Sequence, residues 1–262
     1  MRRDTGLASS RPTIRRTVPG APYPTFLNSK PGRSPVSDAP SQAAPADARR
    51  IRVAARAMAR AGLVHAYGHC SLRTDSERFI VSPPKPLGLT GTGDSPVAVS
   101  TTGALPPDAL GEVVIHQHIY RRRGDVRGIV RFQSPSLTAL STLGLTPRAR
   151  HGFGAYFAPG TPLYPNPRLV RDPASAAALV ELLGPARGIV MRGNGAVTVG
   201  ASIEEAVVMA WYLEDAARVE LAILGTGLEG REFTPEEVAD RATTAGRIIE
   251  RMWDWLTADD PE

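Results

Sequence analysis

The sequence is poor in cysteine, lysine, aromatics and long apolar runs. Its one cysteine, Cys70, excludes a disulfide scaffold and any zinc site built on paired cysteines. Two lysines stand against 29 arginines, a bias expected of a high-GC bacterial genome that says nothing about a reaction. No apolar run approaches the ~20 residues of a membrane span, so no membrane partner is expected. The first ten residues hold no apolar h-region, so a Sec-type signal is not expected and a cytoplasmic protein is the default. What remains is a globular composition, 42% hydrophobic and 22% charged over 262 residues. A chain of that length buries roughly 70% of its unfolded surface and needs no covalent staple.

The net charge of +5 sits in one place. Residues 1–46 carry seven basic and two acidic side chains, which leaves the remainder with 24 of each sign. The basic excess therefore belongs to a Pro-, Ser- and Arg-rich segment that the composition predicts to be a disordered tail, not to a binding groove. Nucleic acid is not an expected partner.

Structure is predicted to begin near Asp47 with a helix to Ala61. Strands are predicted at Cys70–Arg73, Arg78–Ser82 and Val97–Ser100, with a helix over about Asp108–Arg123 and a buried strand at Gly128–Phe132. Ser134-Pro135 predicts an N-cap followed by proline at the first helical position, and Asp172-Pro173 repeats the signal. Gly193-Asn194-Gly195 predicts a hairpin between strands at Gly188–Arg192 and Ala196–Val199. Ser202-Ile203-Glu204-Glu205 reads as a capping box opening a long helix to about Leu224, with Ala206, Met209, Ala210, Leu213, Ala217 and Leu221 inward. Thr234-Pro235-Glu236-Glu237 predicts one final helix, with Ile248, Met252, Trp253 and Trp255 to bury. Interleaved strands and helices indicate an α/β domain over 47–227, with 228–262 as a C-terminal helix extension.

Several side chains could carry chemistry. Glu112 and His116 stand four apart on a predicted helix and share a face, as in a metal site, an acid/base pair or a surface hydrogen bond. Arg131 and Gln133 alternate about Phe132 and share a strand face, just before a helix start where α/β proteins bind anions; a structural ion pair is the alternative. His69 and Cys70, as strand neighbours, face opposite ways and are not expected to form a dyad, so Cys70 reads as a small buried residue. Lys85, in a proline-rich loop, could clamp an anion or simply be exposed. Phe153, Tyr156 and Phe157 could contact an aromatic substrate or belong to the core.

The order of these segments resembles the class II aldolase/adducin family over roughly Ala54 to Gly225. The resemblance is carried by Tyr67-Gly68-His69-Cys70-Ser71-Leu72-Arg73, Arg78-Phe79-Ile80-Val81-Ser82-Pro83, Glu112 with His116, Ile119-Tyr120, Ser134-Pro135, Gly193-Asn194-Gly195 and Ser202-Ile203-Glu204-Glu205-Ala206. Its Gly-His-x-Ser form is closer to the decarboxylase-like and oxygenase-like branches. The resemblance implies a three-layer α/β/α domain with a mixed, largely antiparallel sheet. It also implies a ring-shaped homo-oligomer, often a tetramer, and a divalent metal that stabilises an enolate. The family's metal-binding histidines fall at Arg131, Gln133 and Asn194 here, while its acid/base position keeps Glu112. Neutral amides are weak ligands for zinc or iron, and a permanent guanidinium repels a metal ion.

Three readings stand open. The first is a cofactor-free, metal-independent lyase of specialised metabolism acting on a small carboxylate-bearing substrate. In it Glu112, Arg131, Gln133 and Asn194 are catalytic and His69, Lys85, Tyr156 and Arg192 bind substrate. The second is a non-catalytic binding or assembly protein of the adducin kind. The third is a metalloenzyme with ligands relocated among Glu112, His69, His116 and His151.

Overall fold

The computed structural model describes residues 43–262. The expected tail, residues 1–46, lies outside them except for its last four residues, and Pro45 and Ala46 already belong to the first helix. Helix α1 (Pro45–Arg60) has proline and Asp47 in its first turn, Arg60 in its last, and buries Ile51, Ala54, Ala55 and Met58 along one stripe. Strands β1 (His69–Arg73), β2 (Arg78–Val81) and β3 (Val97–Ser100) form an antiparallel meander. Helix α2 (Val114–Arg122), strand β4 (Gly128–Phe132), helix α3 (Pro135–Thr142), strand β5 (Leu163–Tyr164) and helix α4 (Pro173–Leu183) follow. The hairpin of β6 (Gly188–Met191) and β7 (Ala196–Gly200) leads into α5 (Ile203–Thr226), then α6 (Pro235–Arg241) and α7 (Ile248–Thr257).

The seven strands make one sheet in the order β3-β2-β1-β4-β7-β6-β5, antiparallel at every junction except β5–β6. Its two faces carry separate apolar clusters. On one, Cys70, Leu72, Val130 and Phe132 meet α1, α3 and α5. On the other, Phe79, Ile129, Val197 and Val199 meet α2 and α4. The result is three layers, helix–sheet–helix, and β4 is buried on both faces because it is the middle strand. Among the described residues no helix is long and apolar enough to cross a membrane.

Two glycines hold the elements close to one another. A Cβ on Gly128 would strike the backbone of Ser202 and Ile203, so this glycine lets α5 start directly over β4. Gly195 has a positive φ of 76°, and a Cβ there would strike the Phe132 carbonyl. It therefore presses the β6–β7 turn against the end of β4.

Four local expectations are corrected. Glu112 lies in a short 3₁₀ turn, Gly111–Val113, ahead of α2 rather than on it, because Pro106 and Pro107 put a separate turn before it, closed by the Ala109 amide on the Pro106 carbonyl. Ser134 makes no side-chain cap on α3. The buried Glu214 carboxylate, reaching from α5, accepts the Ser136 and Leu137 amides at 3.1 and 3.0 Å. At α5, Ser202 accepts the Glu205 amide, but the Glu205 carboxylate takes the Ala201 amide and Arg187, so the capping box is only half made. The final helix is two helices, separated where Gly246 and Arg247 take positive φ, and Trp255 stays 64% exposed. Helix α7 packs on this same chain, with Leu256 buried in the cluster shared with α1 and α5.

Candidate active site

The site grows from the face of β4 opposite Val130 and Phe132. Strand alternation puts Arg131 toward α2, and cross-strand register sets it directly opposite His69 of β1 and Val197 of β7. Arg131 is 1% exposed. Its Nη2 lies 3.2 Å from Glu112 Oε2 and donates to Asn194 Oδ1 at 2.8 Å. Gln133, two residues on, donates from Nε2 to the same oxygen at 2.5 Å. Two N–H groups aimed at one atom identify it as the carbonyl oxygen, so the Asn194 amide nitrogen faces the other way. The structure thus joins Arg131, Gln133, Asn194 and Glu112 in one hydrogen-bonded cluster.

Burial pulls the Arg131 guanidinium below its ordinary range, and Glu112 opposes that shift. It remains a cation, because a guanidinium does not lose its proton in proteins. Beside it, His69 Nδ1 meets His116 Nε2 at 2.8 Å, His116 Nδ1 meets Ser71 Oγ at 2.6 Å, and Ser71 Oγ meets Tyr120 Oη at 2.8 Å. Glu112 and His116, paired by spacing, have different partners. Burial, with His116 and the Arg131 cation nearby, holds His69 well below the usual imidazole range; burial and Arg131 push His116 down to about 3. Both rings are neutral at physiological pH.

Glu112 and His69 line a cleft of about 330 Å³ completed by Tyr67, Lys85, Leu110 and Arg171. Lys85 is at its mouth but is bound to Asp94 at 2.6 Å, which neutralises it as an anion clamp. Arg171 was not foreseen. Its stem packs over Gly111, and its guanidinium makes no ion pair among the described residues. No local signal marks it, since only the fold brings residue 171 beside residue 111. The Ser71–His116–Tyr120 chain was also missed, although His69/Ser71 alternation and the His116/Tyr120 spacing of four place all four residues on facing surfaces.

Two expected substrate contacts lie elsewhere. Tyr156 sits in the cluster on the opposite face, donating to the Thr243 carbonyl at 2.5 Å, and Phe153 and Phe157 pack in the same core. Arg192 is exposed and donates to the Pro165 carbonyl at 2.6 Å. His151 pairs with Asp215 at 3.0 Å, apart from the cleft. Cys70 is buried on the α1 side, its thiol pushed up to about 12 by burial.

The divalent ion that the resemblance implies does not fit the side chains at 131, 133 and 194. Arg131 offers no lone pair, and the Asn194 carbonyl already accepts two donors. Among the described residues no three His, Cys, Asp or Glu side chains are grouped to hold a metal. The positive charge present at this point is the guanidinium.

Comparison with known proteins agrees with this geometry at the level of fold and family. The sequence profile of the Class II Aldolase and Adducin N-terminal domain matches residues 49–221. A 3,4-dihydroxyphthalate decarboxylase of Terrabacter sp. is 30% identical over 74% of this chain and 88% of its own. Human beta-adducin is 26% identical over 65% of this chain but only 26% of its own. Among solved structures, the L-fuculose 1-phosphate aldolase from Glaciozyma antarctica superposes with a TM-score of 0.68 at 20% identity, covering 82% of this chain and 89% of that one. An aldolase II superfamily protein from Pseudomonas syringae gives 0.68 at 22%, covering 86% and 94%. The chain is a member of the class II aldolase and adducin family.

Proposed function

We propose that this chain is a metal-independent lyase that decarboxylates a small hydroxylated carboxylic acid, with Arg131 in the role a divalent ion would otherwise fill. The observation that carries the reading is the buried Arg131 guanidinium, held between Glu112 and Asn194 behind a cleft. A buried ion pair adds little to stability, because desolvation offsets its attraction. A fixed cation at the back of a cleft is useful where negative charge develops during a reaction. An assembly protein of the adducin kind gains nothing from it. Decarboxylation is favoured over aldol cleavage by the curated relatives, which include three 3,4-dihydroxyphthalate decarboxylases.

In this reading Glu112 takes the proton of a substrate hydroxyl, and Arg131 holds the resulting oxyanion. Glu112 then delivers that proton to the carbon bearing the carboxylate. The C–C bond breaks, CO₂ leaves with no charge, and the bonding electrons return to the ring or enolate. Solvent reprotonates the oxyanion, so one proton is consumed overall. Gln133 fixes Asn194, and Asn194 fixes the guanidinium plane. A second anionic group on the substrate would meet Arg171 at the mouth. The assembly proposed is a homotetramer, to be read by sedimentation.

The test is CO₂ release from 3,4-dihydroxyphthalate and related hydroxylated aromatic acids, with and without chelator. Turnover that survives chelation and falls at least about 100-fold in Glu112→Gln and Arg131→Lys, with folding intact, is the expected result. Turnover abolished by chelator and restored by zinc, manganese or iron(II) overturns the metal-independent reading. No turnover of any acid by a well-folded tetramer overturns the enzymatic one.

A further inference from the structure

We infer that His69, which lines the cleft, is a tautomer-locked N–H donor, fixed by the buried chain Tyr120–Ser71–His116, that offers its Nε2 proton to a substrate oxyanion. The inference rests on the proposed reading for its substrate but not for its geometry. Three side-chain atoms at this site have no hydrogen-bond partner among the described residues: His69 Nε2, Arg131 Nε and Asn194 Nδ2. Their residues are 2%, 1% and 5% exposed. A buried polar group is costly to leave unpaired, so an unpartnered atom on the wall of the cleft points to a ligand that satisfies it.

The ligand's charge follows from the protons. Arg131 Nε and Asn194 Nδ2 can only donate. His69 Nε2 could donate or accept, and the chain behind it decides. The Tyr120 hydroxyl is 2.8 Å from Ser71 Oγ but 3.4 Å from the Arg127 carbonyl, which already accepts the Arg73 amide at 2.9 Å. The phenolic proton therefore goes to Ser71. The Arg73 guanidinium, 4.7 Å from the Tyr120 ring centroid, polarises the phenol in the same sense. Ser71 then donates to His116 Nδ1, His116 donates from Nε2 to His69 Nδ1, and the remaining His69 proton sits on Nε2. The unpartnered atom on the cleft wall is then a donor, beside the Arg131 cation, and the matching ligand group is an oxyanion such as a phenolate or enolate.

The same chain argues against His69 as the proton source. Were Nε2 to give up its proton, replacement through the relay would end on a buried Tyr120 phenolate, which burial disfavours. His69 donates a hydrogen bond and keeps its proton. His116, Ser71 and Tyr120 are positioning residues.

Two-bond ¹H–¹⁵N spectra of the full chain near pH 7 test the lock directly. The expected result is neutral His69 and His116, both carrying the proton on Nε2. An Nδ1-protonated or charged His69 overturns the inference. Binding of the 4-nitrocatechol monoanion, followed by its visible absorption, tests the donor role of His69. His69→Phe and Ser71→Ala should each weaken it about tenfold, while Ser71→Thr, which keeps the hydroxyl, should bind as wild type. Absence of binding to wild type, or equal binding by all variants, overturns the donor role of His69. These readouts need no turnover, so an enzyme that decarboxylates nothing refutes the proposed reaction and leaves this inference standing or falling by itself.

Discussion

At the scale of single residues, the His69–His116 pair makes a pH prediction whose sign is set by burial. Both rings have lowered values in the folded protein, against about 6.5 in an unfolded chain. As pH falls from 7 to 5 the unfolded chain takes up protons that the folded one refuses. Stability therefore falls with pH, by up to about 1.4 kcal/mol per pH unit for each histidine. Urea denaturation at the two pH values measures it. A flat profile would mean that the pair charges inside the folded protein and that the relay has another arrangement. Carboxylates held low by arginines, such as Glu220 and Asp260, add a loss in the same direction only at lower pH. At this scale the sequence was partly legible. Alternation alone placed Arg131 with Gln133 and separated His69 from Cys70, because both are local properties of a strand. The meeting of Arg131 with His69 was not legible, since it depends on the β1–β4 register between segments about sixty residues apart.

Elements show how a correct start signal can have a different cause. Helix α3 begins where Ser134-Pro135 predicts, yet its first amides are satisfied by Glu214 from 77 residues away. Proline and the extended residue before it set the boundary, and a carboxylate from α5 supplies the favourable charge at the helix N-terminus. Glu214→Ala should cost about 2 kcal/mol or more in urea denaturation, because two backbone donors lose a charged acceptor. A loss below 0.5 kcal/mol, the ordinary surface range, would show that solvent caps the helix instead. The β6–β7 turn was legible as a hairpin from Asn194-Gly195, but not its contact with the end of β4. Gly195→Ala would force the turn away from Phe132 and move Asn194 off Arg131. Turnover in that variant should drop together with stability, and a fully active Gly195→Ala would remove Asn194 from the site.

Across the whole molecule, the C-terminal segment is clasped to α1. Arg52, Arg56 and Arg60 form a stripe on that helix; Arg56 and Arg60 hold Asp260, and Arg52 and Arg56 hold Glu262. Side chains this well buried are costly to leave unpaired, so Asp260→Asn should lower stability by about 2 kcal/mol while leaving turnover unchanged. Altered turnover at full stability would show that the clasp reaches the cleft. The α/β class was legible from the alternation of strand and helix patterns and the three layers from the family resemblance, whereas the clasp was not, because nothing local pairs residue 56 with residue 260. The proposed anion anchor stands on β1, β4 and the turn pressed against β4, each held by the sheet's own ladders. The rim of the cleft is built instead from loops at 84–86, 110–112 and 171. Apart from Glu112, which pairs with Arg131, the residues of those loops can be exchanged without touching the guanidinium behind them. In the proposed reading, evolution or a laboratory library can therefore retune which acid is admitted while inheriting the electrophile unchanged, and the productive positions for such a library are Lys85, Leu110 and Arg171.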